Sequence, residues 1–83
     1  MNENEIRKMV INWGVRSVSS EFSETEMTKD ISLLGFDSIE IFEFGEFIES
    51  RFNIDVDDEW LMEFETLNDL CAKLAKDESQ TGS

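Results

Sequence analysis

Three stretches of this 83-residue chain repeat apolar residues at the spacing of one helix face. Ile6, Met9, Val10 and Trp13 form the first stripe. Ile41, Phe44, Ile48 and Phe52 form the second, with Gly45 beside them, and Leu67, Leu70, Cys71 and Leu74 the third. A period near 3.6 rather than 2 selects helices over strands. The absence of proline and the presence of only four glycines leave those helices unbroken. A chain of this length buries only about 60% of its unfolded surface, enough for one small core. The expected fold is therefore all-α, a small helical bundle.

Local signals set the boundaries. The first helix runs from about Asn4 to Val15, where Gly14 and the serines from Ser17 to Ser23 weaken the pattern. Residues 18 to 37 form a long connection whose apolar residues Val18, Phe22, Met27, Ile31, Leu33 and Leu34 anchor it across the core. Connections of this length inside a compact domain are often functional. The next helix opens at Asp37-Ser38 and reaches about Phe52, with Asp37 as N-cap and Glu40 as the partner of a capping box. Asn53 to Val56 reads as extended or looped. A short turn of helix follows from about Asp58 to Glu63, with Trp60, Leu61 and Phe64 available for packing. Thr66 caps the last helix, with Asp69 three residues on. Residues 1–76 make up one domain, and the polar tail 77–83 is expected to be disordered.

Twenty acidic residues against seven basic ones give a net charge of −13. Such a surface repels nucleic-acid phosphates and anionic membranes, and it complements a basic protein partner. Its self-repulsion predicts a melting temperature that rises with added salt or magnesium. The chain lacks histidine, which excludes a Ser-His-Asp triad and an ordinary histidine metal site. One cysteine excludes an internal disulfide and fits a cytoplasmic location. Cys71 lies on the third stripe, where a small core residue is expected rather than a nucleophile. No apolar run approaches membrane-spanning length, and the N-terminus lacks the character of a signal peptide.

The informative segment is Leu34-Gly35-Phe36-Asp37-Ser38-Ile39-Glu40. A serine opening a capped helix lies where backbone N–H groups and the macrodipole favour negative charge, so a phosphate ester on Ser38 is electrostatically stabilised. Gly35 permits a tight turn before the helix. Spacing alone is equally consistent with Ser38 as an ordinary helix-start residue. Beyond it, Glu40, Glu43, Glu46 and Glu49 wind around the outer face, as ordinary amphipathicity requires. Ile39 and Phe42 stand among them without an amphipathic explanation.

This segment resembles the acyl carrier protein family, whose hallmark Gly-x-Asp-Ser-[Leu/Ile/Met] stands here as Gly35-Phe36-Asp37-Ser38-Ile39. The likeness extends over residues 4 to 76. It takes in Leu34, the core positions Ile41, Phe44, Ile48 and Phe52, the stretch Asp55-Val56-Asp57-Asp58-Glu59, and Thr66-Leu67. The resemblance implies a four-helix bundle of three main helices and a short third one, with a long loop between the first two. It implies a 4'-phosphopantetheine arm derived from coenzyme A and attached to Ser38 by a phosphopantetheinyl transferase, with Asp37 and Gly35 shaping the site. On that reading the chain is not an enzyme, and no metal or catalytic residue is expected. It is a monomer that delivers thioester-bound acyl groups to fatty-acid or polyketide-type enzymes.

Ile39 and Phe42 become docking anchors, ringed by Glu40, Glu43, Glu46 and Glu49 facing basic patches on acyl-transferring or condensing enzymes. The space between helices, lined by Ile41, Phe44, Ile48, Phe64, Leu67 and Leu70, becomes either a shelter for the acyl chain or plain core. Three positions depart from the family pattern. Asp57 replaces a common proline and is expected to loosen entry into the short helix. Phe36 is bulkier than usual. Glu46 replaces an apolar docking residue, which points to a dedicated pathway.

Peptidyl and D-alanyl carriers share the arm and fold and are alternatives, as is an unmodified acidic interaction module. A calcium-binding loop starting at Asp55 fails, because Trp60 and Thr66 fall where glycine and glutamate are required.

Overall fold

Asn2 starts the first helix. In the computed structural model, which describes residues 1–81, its side chain accepts the Glu5 N–H at 2.9 Å, while the Glu5 carboxylate accepts the Asn2 N–H at 3.2 Å. This reciprocal box opens α1, Glu3–Ser17, which buries Ile6, Val10, Trp13 and Gly14. The equivalent stripes bury Phe44 and Ile48 on α3, Ser38–Phe52, and Leu67, Leu70, Cys71 and Leu74 on α5, Leu67–Thr81. Ile41 and Phe52 are only half-buried at the edge of the core.

Asn53 ends α3 in the left-handed conformation, φ 54° and ψ 46°, its N–H donating to the Glu49 carbonyl at 2.9 Å. Asparagine tolerates that geometry better than most residues, which explains a stop without glycine. At the other end, Thr66 Oγ1 accepts the Asp69 N–H at 3.1 Å and opens α5. The helix runs past Asp77 to Thr81. No helix breaker occurs before Gly82, and Lys73 pairs with Asp77 at 3.1 Å, one turn apart. Residues 82–83 of the expected tail lie outside the described residues.

The long connection contains structure that the sequence reading treated as loop. A short helix α2, Glu24–Thr28, opens on a second reciprocal box, the Ser23 N–H donating to Glu26 at 2.8 Å. A 3-10 turn, Ile31–Leu33, follows, capped by Asp30, whose carboxylate accepts the Ser32 N–H at 2.9 Å. Phe22, Met27 and Ile31 are buried, as the anchor reading requires. Leu33 is not an anchor: it is 76% exposed, because the tight turn that buries Ile31 points it outward.

The crossing of this segment over α1 depends on Gly14. A Cβ there would lie 2.4 Å from the Phe22 ring, so the ring seats directly on the glycine. The segment is then stitched to the far side by an Ile31 N–H to Glu65 carbonyl bond of 2.7 Å and a single bridge between Asp30 and Thr66.

The short α4, Asp58–Met62, begins at Asp57, whose carboxylate accepts the Trp60 N–H at 2.8 Å. An aspartate here replaces the pre-set backbone of a proline with a capping hydrogen bond. Leu61 of this helix is buried. The result is an all-α acyl-carrier-like bundle in which α2 and the 3-10 turn are added to the expected helices. Among the described residues, no polar or charged residue is buried, and no helix is long and apolar enough to cross a membrane.

Candidate functional site

The backbone around Ser38 is fixed from both sides. Gly35 has φ +73°, a conformation that costs an L-residue about 1–2 kcal/mol. A Cβ at this glycine would meet nothing within 4 Å, so the requirement is one of backbone geometry and not of space. Phe36 then turns inward, its ring edge-on to Trp13 at 6.0 Å between centroids. Trp13 also packs against Phe44 at 4.9 Å, so one indole joins the approach to Ser38 with the core of α3. The bulk of Phe36 therefore has a structural use.

Asp37 caps α3, its carboxylate accepting the Glu40 N–H at 2.7 Å while Glu40 accepts the Asp37 N–H at 3.0 Å. Such caps contribute roughly 1 kcal/mol each. Ser38, the first helical residue, is exposed. Its hydroxyl thus stands in solvent at a helix end whose free N–H groups stabilise an anion. An exposed hydroxyl on a rigid turn, beside partial positive charge, is suited to hold a phosphoester-linked group without burying it.

The apolar residues that amphipathicity left unexplained are at the surface: Ile39 is 68% exposed and Phe42 60%. Glu43 and Glu46 are exposed, while Glu40 and Glu49 are half-buried. Glu40 also serves the capping box with Asp37. Two further apolar residues are exposed: Leu33, expected as an anchor, and Met62 at 55%, not singled out from the sequence. Neither had a periodic signal, since each lies at the end of a single short turn.

A cleft of about 100 Å³ opens between α3 and the segment entering α4. Ile41 and Phe44 line it, as expected of an interior space, but the other wall is Val56, Asp57, Trp60 and Leu61. Ile48, Leu67 and Leu70 belong instead to the solid core, each fully buried, and Phe64 stacks edge-on against Trp60 at 5.1 Å. The expected lining is thus corrected: helix periodicity identified the core but could not show where it fails to close.

Cys71 is buried, and burial pushes its thiol up to about 12. At neutral pH it stays protonated, which removes it as a nucleophile. No cluster of potential metal ligands occurs among the described residues.

Comparison with known proteins gives one finding. Residues 18–74, more than half of the chain, match the family model described as the phosphopantetheine attachment site. No match to a curated protein or to a solved structure was found. The matched span holds the stitched connection, the capped serine and the cleft, and members of this family carry a covalently attached 4'-phosphopantetheine group. The chain belongs to the family of phosphopantetheine-bearing carrier proteins.

Proposed function

We propose that Ser38 is the attachment residue and that the chain is an acyl carrier protein serving fatty-acid or polyketide-type enzymes. The observation that carries this reading is the exposed Ser38 hydroxyl at the start of a reciprocally capped helix, directly after a positive-φ glycine. When bound, the prosthetic group supplies a terminal thiol for thioester linkage to cargo. Ser38 supplies the oxygen that anchors it, Asp37 holds the turn, and the N-terminal N–H groups of α3 favour the phosphate's charge.

The chain carries and presents; it does not catalyse. Ile39 and Phe42 offer apolar contact to a partner, and Glu43, Glu46 and Glu49 face its basic groups. Glu40 joins them while also holding the cap. The cleft beside Ile41, Phe44, Val56 and Trp60 is the space available to shelter an acyl chain. On this reading the chain acts as a monomer in the cytoplasm, with a phosphopantetheinyl transferase as its first partner.

Intact-protein mass spectrometry after incubation with coenzyme A and a broad-specificity phosphopantetheinyl transferase tests the reading. The expected result is a gain of one phosphopantetheine unit that Ser38→Ala abolishes. No gain on a folded protein, with several transferases, would instead favour an unmodified acidic interaction module.

A further inference from the structure

A second groove, of about 450 Å³, lies between α1 and α3 and carries the opposite charge. It is lined by Met9, Asn12, Val15, Arg16, Phe47 and Arg51. Two of the chain's seven basic residues border it, and among the described residues no acidic one does. Its floor is apolar: Phe47 and Met9 are half-buried, and Val15 is 40% exposed.

Both arginines are tethered at the groove. Arg51 lies 5.5 Å from the centroid of the Phe47 ring, and Arg16 Nε donates to the Asn12 carbonyl at 3.3 Å. Neither is in an ion pair among the described residues, whereas Arg7, Lys29 and Lys73 each have a carboxylate partner. A cation in the last turn of a helix is stabilised by the macrodipole, which accounts for one arginine on each of α1 and α3. It does not account for both bordering the same apolar groove, unpaired, in a chain of charge −13.

We infer that the groove between α1 and α3 docks an acidic–apolar segment of a partner protein, its carboxylates meeting Arg16 and Arg51 and its apolar side chain covering Phe47, Met9 and Val15. Guanidinium forks match carboxylates in two-point geometry, and stacking on an aromatic ring pre-orients Arg51 for that role. The chain's overall charge repels an acidic partner at long range. Binding therefore depends on local pairing at this groove, and the two charged faces of the domain select different partners. The inference does not depend on modification of Ser38.

The test is an amide NMR titration of the full unmodified chain with a blocked six-residue peptide of leucines flanked by glutamates. A matched peptide with lysines replacing the glutamates is the control. Saturable shifts at Val15, Arg16, Phe47 and Arg51 are expected with the glutamate peptide alone. The double variant Arg16→Gln/Arg51→Gln should weaken that binding roughly fivefold, given the modest worth of exposed ion pairs. Val15→Glu, at an exposed position, should weaken it as well without touching either arginine. Absence of saturable shifts at these amides, equal shifts with the lysine peptide, or undiminished binding in both variants would overturn the assignment.

Discussion

Residues 18–37, which lead into α3, bury Phe22, Met27 and Ile31, carry a capped helix and a capped turn, and bond through the backbone to Glu65. Residues 53–57, which lead out of it, bury no side chain completely; Ile54 and Val56 are only half-buried, and Val56 borders the cleft. The difference matches what the proposed function asks of each side. A hydroxyl presented to modifying and partner enzymes needs a fixed backbone, and the segment before it is secured at several independent points. The cleft side has few buried contacts, and few buried contacts mean low local stability.

The largest effect that distinguishes the two segments is truncation of their apolar residues. Phe22→Ala should lower the unfolding free energy by about 3–5 kcal/mol, whereas Val56→Ala should cost about 1 kcal/mol, read from urea denaturation. Equal losses would break the comparison.

A pair of glycines sharpens it. Gly14→Ala forces the buried Phe22 ring from its seat and should destabilise by about 1–3 kcal/mol. At Gly45 an added Cβ would meet only Val56 at 3.5 Å, an ordinary contact, so Gly45→Ala should stabilise by up to about 1 kcal/mol through helix propensity. Thermal melts of the two variants moving in the same direction would contradict the account.

Much of this contrast was hidden in the sequence for identifiable reasons. The three main helices were legible because their stripes are long and periodic. The site was legible because Gly35, Asp37, Ser38 and Glu40 form a local unit, and local units need no knowledge of tertiary structure. The connection was only half legible: Phe22, Met27 and Ile31 were named as anchors, yet the Ser23–Glu26 box that builds α2 lay in a stretch too short to show a period. Gly14 was read as weakening α1, because a glycine that receives a ring from elsewhere carries no mark of that ring in its neighbours. The cleft was not legible, because sequence spacing separates inside from outside, and a gap between two inside faces is set by how elements meet.

Smaller effects follow at the approach to Ser38. Gly35→Ala should cost about 1–2 kcal/mol from the left-handed backbone alone. It should also slow transfer of the arm to Ser38 more than an equally destabilising change at Val56, measured as initial rates by mass spectrometry.

The smallest effect concerns pH. Hydrogen bonds from the Ser32 hydroxyl and then its backbone N–H hold the Asp30 carboxyl below its ordinary range. A backbone hydrogen bond from Ser23 does the same, most strongly, for Glu26. Both groups are depressed in the folded state, so their contribution is present above the unfolded values near pH 4 and is lost as pH falls through the lowered ones. Asp30→Asn should therefore melt slightly lower than the parent at pH 7, with the gap closing as pH falls through the lowered carboxyl value. A gap that widens on acidification would reverse the sign and refute that role for the cap.

The central claim is that the phosphopantetheine group sits on Ser38 in its capped turn. An alanine variant reports only that Ser38 is needed; fragmentation of the intact, coenzyme A-treated protein in the mass spectrometer reports where the group is. The account predicts that every fragment containing Ser38 carries the added mass and that fragments ending at Asp37 or beginning at Ile39 do not. The added mass on another residue, such as Ser32 or Ser50, would contradict it.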